Sequence, residues 1–208
     1  TGIFDPKVAA LSGSDVLGFA KRAYEAVKEC DKRASIDDGK FSALVTETAI
    51  SNSHGVKTSE KSTLLSGYMI CMVKTRGQAS SMAWDYDVTR SIRFSPEKIS
   101  RSAAEKAVAS IRPKTGESFV GKVILDPEPA MEILLYPIFY SVNADNVQRK
   151  RSIWTGRIGG EVAVPNLNVT DDGLFPQGIG SSSFDAEGVP RQKTPIATKG
   201  VLKGFLHN

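Results

Sequence analysis

Three β-prone runs between two helical patterns constrain the fold of this chain more than any other feature of its sequence. The runs cover residues 41–50, 63–75 and 82–89 and are rich in Val, Ile, Thr, Leu and aromatic side chains. Turn-forming residues separate the runs, including Ser53-His54-Gly55 and Arg76-Gly77. The pattern therefore predicts an antiparallel meander.

The third run also alternates in polarity. Met82, Trp84, Tyr86 and Val88 fall on one side of a strand, and the mostly small or polar residues between them fall on the other. Because antiparallel sheets commonly have one buried and one solvated face, we expect the apolar side to pack against the core and the other side to be exposed to solvent.

A helix is predicted on each side of the meander. Apolar residues recur at three- and four-residue steps over residues 15–31, and Ser14 is the expected N-cap. The second helix opens at Ser95-Pro96-Glu97, where a capping residue is followed by proline at the first helical position. We expect this helix to end near Ser110.

Turn-forming residues from Arg112 to Ser118 predict a boundary between two subdomains. The first, residues 1–112, is a helix, an antiparallel meander and a helix. The second, residues 119–208, is a strand-helix unit followed by a β-rich part that is truncated at its C-terminus. The overall prediction is an α+β fold in which helices pack on antiparallel sheet.

The second subdomain is expected to open with a strand at residues 120–125, followed by a helix from Asp126-Pro127. Three later segments have strand character, namely residues 162–170, 189–198 and 201–206. Lys199-Gly200 is expected to form a tight hairpin turn between the last two strands.

The composition predicts a globular protein without a membrane span. The chain has 208 residues, of which 40% are hydrophobic, and no run approaches the roughly 18 apolar residues that a spanning helix needs. No signal-peptide pattern precedes the first helix, so a cytoplasmic location is expected. Cys30 and Cys71 fall in apolar patterns without CxxC spacing and are interpreted as core residues.

The charge distribution does not favour a nucleic-acid partner. The net charge is +4, and the 27 basic residues are spread among 23 acidic ones. The only dense basic run is Arg149, Lys150 and Arg151, which we interpret as a solvated loop or helix end. Contact with phosphates is the alternative interpretation of this run.

No established catalytic motif is present in the sequence. There is no Gly-x-Ser-x-Gly elbow, and the two histidines, His54 and His207, are separated by most of the chain. Asp185 and Glu187 have the spacing of paired carboxylates, yet acidic residues beside glycine also cap turns. The turn role is the favoured interpretation.

Residues 181–206 read SSSFDAEGVPRQKTPIATKGVLKGFL, and this segment resembles a signature of the TldD/PmbA peptidase family. The resemblance makes Asp185, Glu187 and Gly188 signature or structural positions. It extends in outline from the first helix to the end of the chain, and it implies that the sequence is a central fragment of a longer protein.

The resemblance also places a degenerate metal motif in this chain. Metal-binding subunits of the family carry a His-Glu-x-x-x-His helix, and the matching positions here are Leu135, Tyr136 and Tyr140. Leucine has no donor atom, and tyrosine is an uncommon zinc ligand and a poor base at neutral pH. We therefore expect no metal and no catalytic residue in this chain.

Pro137 lies between the degenerate positions. Helical residues five apart point about 140° away from each other, so the family's spacing requires a distorted helix to bring both histidines to one metal. Pro137 would kink the helix, either as an inherited feature of that geometry or as a simple bend in a packed helix.

The resemblance implies a TldE/PmbA-like subunit that lacks the zinc motif. Such a subunit would pair with a TldD-like zinc-bearing subunit and guide unfolded peptides, and a homodimer is the other assembly that we consider. Two further functions stay open: a peptidase in its own right with ligands outside this fragment, and a modulator that binds DNA or gyrase.

Overall fold

The computed structural model describes residues 2–207 and divides into two compact units, which are described separately. The first unit comprises the residues up to Gly116 together with Gly173–Arg191, and the second comprises Glu117–Asp172 and the residues from Gln192 onward. Residues 173–191, which the sequence prediction assigned to the second subdomain, are therefore part of the first unit.

The first unit contains three helices and four strands among its described residues. The helices are α1 (Pro6–Ala9), α2 (Gly13–Cys30) and α3 (Pro96–Ala109). The strands are β1 (Ala34–Ser51), β2 (Lys57–Thr75), β3 (Gln78–Ala79) and β4 (Ala83–Thr89). β2 pairs antiparallel with each of the other three strands, which confirms the predicted meander.

Local capping sets where the two long helices begin. Ser95 Oγ accepts a hydrogen bond from the Lys98 amide at 3.2 Å, so α3 starts where the sequence predicted. The predicted N-cap of α2 at Ser14 is wrong. Ser12 caps this helix instead, because its backbone amide donates to the Asp15 carboxylate at 2.8 Å and its hydroxyl accepts from the Asp15 amide.

The main core of the first unit lies between the sheet and the helices α2 and α3. Small side chains on the helices allow close packing against larger apolar side chains from the strands. The residues of this core are Ala23, Val27, Ala34, Met69, Cys71, Val73, Ile99, Ala103, Ala104 and Ala107. A second cluster joins Val8, Phe19 and Leu65.

The structure reverses the expected packing of β4. Trp84 and Tyr86 are 49% and 42% exposed and stack on each other, with ring centroids 5.4 Å apart. Ala83 packs against the main core instead, and the carboxylate of Asp85 lies 3.4 Å from the Lys106 ammonium on α3. The aromatic side of the strand is therefore the one that faces away from the helices.

The described residues of the second unit form two helices, α4 (Pro127–Val142) and α5 (Ala144–Gln148), and a three-stranded antiparallel sheet. The strands are β5 (Val169–Asp172), β6 (Lys193–Thr198) and β7 (Val201–Leu202), in that order across the sheet. Its core consists of Val142, Trp154, Ile196 and Leu202.

Several predicted strands of this unit are shorter or missing. Residues 120–125, all within the described part of the chain, form no strand, and Val120 and Ile124 are almost fully exposed. The predicted strand at 162–170 is reduced to β5 at its end. The turn at Lys199-Gly200 is confirmed, with φ angles of 48° and 77°, in the left-handed region that such two-residue hairpins require.

The predicted α+β class is confirmed, since helices and antiparallel sheets make up both units. Among residues 2–207, no helix combines the length and the apolar character needed to cross a bilayer. Cys71 is buried in the main core and Cys30 packs against that core, as the apolar patterns predicted.

Candidate functional site

Helix α4 carries the degenerate metal motif and is anchored at its C-terminal end. Val142 lies in the core of the second unit, and its carbonyl accepts a hydrogen bond from the Leu206 amide at 2.8 Å. The Ser141 carbonyl accepts from the Ser152 hydroxyl at 2.7 Å, and the Tyr140 carbonyl accepts from the Asn146 side chain at 2.9 Å. These bonds satisfy carbonyl groups that the last turn of a helix leaves unpaired.

The three motif positions lie on the part of α4 that precedes this anchor. Leu135 is half-buried, while Tyr136 and Tyr140 are 74% and 52% exposed. Pro137 lies in the interior of α4, and the helix continues past it to Val142. The proline therefore does not end the helix.

The residues present do not fit a zinc ion. Leu135 offers no donor atom at the first motif position, and imidazole is absent from all three positions. Elsewhere in residues 2–207, no group of three His, Cys, Asp or Glu side chains is placed to hold a metal ion.

Cys71 is also poorly suited to act as a nucleophile. Burial of its side chain in the main core raises the pKa of the Cys71 thiol to about 11. At neutral pH such a thiol stays protonated, whereas the thiolate is the reactive form.

The signature segment places Asp185 in a turn. Its carboxylate accepts hydrogen bonds from the backbone amides of Val189 and Glu187, each at 2.9 Å. These two hydrogen bonds hold the pKa of the Asp185 carboxyl below its usual value, and the bond from Val189 lowers this pKa the most. The arrangement is that of a turn cap, in which the carboxylate is engaged by the backbone.

Both the backbone conformation at position 188 and the space around it require a glycine. Its φ angle is 84°, in the region that favours glycine. A Cβ atom at this position would lie 2.4 Å from Cγ1 of Val56, in the loop that joins β1 and β2. The turn of the signature therefore packs directly on the β1–β2 hairpin.

Two side chains that the sequence analysis did not single out hold the signature segment in the first unit. Glu60 on β2 accepts hydrogen bonds from the Ser183 amide at 2.7 Å and from the Ser183 hydroxyl at 2.6 Å. The guanidinium of Arg90 donates to the carbonyls of Gly178 and Ile179 and also to that of Thr63 on β2. Neither residue has a local sequence pattern that could have revealed these contacts.

The basic run lies at the end of α5. Arg149 is the C-cap of this helix, and its Nε lies 2.9 Å from the Asp145 carboxylate one turn earlier. Lys150 adopts a left-handed backbone with φ 56°, and the Arg151 amide donates to the Asn146 carbonyl at 2.8 Å. The run adopts this conformation because α5 ends there. Its three side chains are exposed.

Comparison with known proteins identifies both halves of the chain. Residues 6–111 match the PmbA/TldA metallopeptidase central domain, and residues 118–208 match the PmbA/TldA metallopeptidase C-terminal domain. Both matches are to domains of one metallopeptidase family. The chain belongs to the PmbA/TldA family, also called TldD/PmbA, which confirms the resemblance seen in the sequence.

Individual relatives are similar to the chain over most of its length. An uncharacterized protein of Methanocaldococcus jannaschii is 33% identical over 179 residues, which cover 86% of this chain and 41% of that protein. The metalloprotease PmbA of Escherichia coli O157:H7 is 23% identical over 207 residues, which cover 98% of this chain and 45% of that protein. The chain therefore spans less than half the length of these curated relatives.

Solved structures share the fold over nearly the whole chain. A candidate modulator of a DNA gyrase from Thermotoga maritima has a TM-score of 0.83 at 25% identity, and the match covers 100% of this chain and 48% of that one. TldE from Thermococcus kodakarensis has a TM-score of 0.81 at 18% identity, covering 98% and 46%, and this likeness concerns the fold alone.

Proposed function

We propose that this chain is part of a noncatalytic, TldE/PmbA-like subunit of a heteromeric zinc metallopeptidase that processes unfolded peptides. In this proposal a TldD-like partner holds the zinc, and the present chain shapes the peptide-binding cavity. The observation that carries the proposal is the replacement of the metal motif on α4 by Leu135, Tyr136 and Tyr140.

The chemistry of zinc hydrolysis supports this choice. A catalytic zinc needs three protein ligands, an open position for water and a nearby base that takes the proton from that water. The base position of the motif is Tyr136, whose side chain lacks the carboxylate that would take this proton. The chain would therefore need an entirely different set of residues to perform the reaction by itself.

The exposed surface of α4 supports a role as a subunit. The helix is apolar on most sides, and its exposed apolar residues are Met131, Ile133, Leu134, Tyr136, Phe139 and Tyr140. Helices that are apolar all round are normally buried. We infer that the TldD-like partner covers this helix in the assembled enzyme.

The sheet of the first unit offers a site for an extended peptide. Within the described residues β1 pairs only with β2, so the other edge of this 18-residue strand has free backbone groups. Extended peptides bind such edges by adding a strand to the sheet. In the proposed function, β1 would align the peptide that the partner subunit cleaves.

Co-expression of the full-length protein with a zinc-motif homologue from the same organism tests this function. We expect the two chains to co-purify, zinc to be present once per heteromeric pair, and cleavage of an unfolded peptide to stop when zinc is chelated. Stoichiometric zinc and efficient cleavage by the purified protein alone would establish the opposite, namely a peptidase in its own right.

A pair of surface variants tests the role of α4. We expect Leu134→Asp, which places a charge on the exposed face of α4, to reduce co-purification at least tenfold. Val164→Asp is the matched control, because Val164 is a 68% exposed apolar residue of the same unit outside the helix. Equal co-purification of both variants would show that α4 does not contact the partner.

A further inference from the structure

A cavity of about 500 Å³ lies in the first unit beside the ends of α2 and α3. Three arginines from separate parts of the chain line it: Arg33 after α2, Arg76 in the turn between β2 and β3, and Arg112 after α3. We call it the arginine cavity. Its other polar side chains are Thr75 and Gln78, and Ile111 contributes an apolar wall.

Two of the three guanidinium groups are held in place. Arg33 makes a two-point contact with the Asp31 carboxylate, with Nη2–Oδ2 and Nε–Oδ1 distances of 2.7 and 3.0 Å. This contact, together with a hydrogen bond from the Arg33 backbone amide, lowers the pKa of Asp31 to about 2, so the carboxylate stays charged at neutral pH. Arg112 Nε donates to the Gln78 side-chain oxygen at 3.2 Å.

The third guanidinium has no such partner. Within residues 2–207, the Arg76 side chain makes no ion pair or hydrogen bond, so all five of its N–H donors stay available. Arg76 is exposed, and the free fork of N–H donors on its guanidinium group matches the geometry of carboxylate and phosphate oxygens.

Simple capping of the two helices does not account for this arrangement. Arginines near helix C-termini often bind the last carbonyl groups. The side chains of Arg33 and Arg112 bind Asp31 and Gln78 instead.

The charge of the cavity indicates which anion fits it. Three guanidinium groups and the Asp31 carboxylate leave a net charge of +2 around the opening. A phosphate monoester carries about −1.5 to −2 at pH 7, whereas a carboxylate carries only −1. The dianionic phosphate group is therefore the closer match, and it also has enough oxygens to accept from several guanidinium groups at once.

We propose that the arginine cavity binds a dianionic phosphate group, either as inorganic phosphate or as the monoester of a small molecule. Arg76 supplies the free fork, and Arg33 and Arg112 form fixed positive walls on the other sides. The volume is within the range of small-molecule sites. This binding site is independent of the peptidase function proposed above.

Calorimetric titration of the 208-residue chain at constant ionic strength and pH 7.5 tests the proposal with three probes. These are inorganic phosphate, phenyl phosphate and the monoanionic diester diphenyl phosphate. We expect one equivalent of a dianionic probe to bind and the diester to bind at least tenfold more weakly. Binding of inorganic phosphate indicates a free-phosphate site, whereas binding of phenyl phosphate alone indicates a monoester site.

Two arginine variants make the test specific. Arg76→Gln should weaken binding at least tenfold and leave the melting temperature unchanged in the absence of phosphate, because Arg76 has no side-chain partner to lose. Arg93→Gln is the control: Arg93 is exposed and precedes α3, whereas the cavity lies beyond the other end of that helix, about 21 Å away along its 14 residues.

Three results would overturn the proposal. The first is the absence of stoichiometric binding of any dianionic probe at millimolar concentration. The second is equal binding of the diester. The third is an equal loss of affinity in Arg93→Gln, which would indicate general attraction to a basic surface.

Discussion

The carboxylate of Glu60 accepts two hydrogen bonds from Ser183, one from the backbone amide at 2.7 Å and one from the hydroxyl at 2.6 Å. The two residues are 123 positions apart in the chain. The pair connects a strand of the first sheet with the signature segment that identifies the family. The signature therefore has a structural role in the first unit.

Removal of this carboxylate should loosen the signature segment. We expect Glu60→Ala to cost roughly 1–3 kcal/mol of local stability, because two hydrogen bonds to a charged acceptor are lost. Glu60→Gln should cost less, since its amide oxygen still accepts. Hydrogen exchange of residues 173–191 measures the effect directly, with faster exchange expected in the order Ala, Gln, wild type.

Glu47→Ala is the control for this experiment. Glu47 lies on the same hairpin and forms an exposed ion pair with Lys61 at 3.2 Å, and such surface pairs contribute little. We expect exchange of residues 173–191 to be unaffected by this variant. Unchanged exchange in Glu60→Ala would mean that other contacts, such as those of Arg90, are sufficient to hold the segment.

Substitution of Gly188 should be costly for two separable reasons. In Gly188→Ala the positive φ angle costs about 1–2 kcal/mol, and the clash with Val56 adds roughly 1–3 kcal/mol. Gly55→Ala is the matched control, because its φ angle is 90° and no atom lies within 4 Å of the added Cβ. Urea unfolding should therefore show a smaller loss for Gly55→Ala.

A double variant separates packing from backbone strain at Gly188. Val56→Ala removes the Cγ1 atom that the new Cβ would meet at 2.4 Å. We expect the cost of Gly188→Ala to fall by about 1 kcal/mol or more in the Val56→Ala background, as measured by a double-mutant cycle. Additive costs would mean that the turn moves away from the hairpin without resistance.

Acid should weaken the signature turn through Asp185. Backbone hydrogen bonds, first from Val189 and then from Glu187, lower its pKa below the usual 3.8. A carboxyl group whose pKa is lower in the folded state contributes stability above its unfolded pKa and loses it as the pH falls through the folded pKa. We therefore expect the turn to lose stability below about pH 4.

The variant Asp185→Asn tests this assignment, because the amide oxygen still accepts both hydrogen bonds but does not titrate. The difference in unfolding free energy between pH 5 and pH 3 should be smaller in this variant than in the wild type. Asp126→Asn is the control, since the Asp126 side chain makes no capping hydrogen bond at the start of α4. Equal pH dependence in both variants would contradict the turn role of Asp185.

Local features of this fold could be predicted from the sequence, because their causes lie within a few residues. The Ser95 cap of α3 and the Lys199-Gly200 turn depend only on neighbouring backbone groups. The contacts of Glu60 and Arg90 could not be predicted, since they depend on how distant segments meet. The degenerate motif could be placed only through the family resemblance.

The packing of β4 shows a different limit of sequence analysis. Alternation divides a strand into two faces, but it does not say which face receives the helices. Here α3 contributes small, fully buried residues such as Ala103 and Ala107, and the face that carries Ala83 fits against them. The larger rings of Trp84 and Tyr86 are left on the open face.

The two tryptophans allow a direct test of this orientation. Trp84 is 49% exposed on the open face of the sheet, whereas Trp154 is 8% exposed in the core of the second unit. The variant Trp154→Phe leaves only Trp84, and Trp84→Phe leaves only Trp154. We expect iodide to quench the fluorescence of Trp84 several-fold more strongly and its emission to lie at longer wavelength.

Unfolding in urea provides the control for the quenching experiment, because both variants should then be quenched equally. If Trp84 faced the helices, as the polarity pattern predicted, iodide would reach neither tryptophan in the folded chain. The zinc-motif homologue can then be added to the 208-residue chain. If this addition abolishes the strong quenching of Trp84, the open face is covered when the two chains bind. Quenching of Trp84 that is as weak as that of Trp154 in the isolated chain would contradict the orientation of β4 described here.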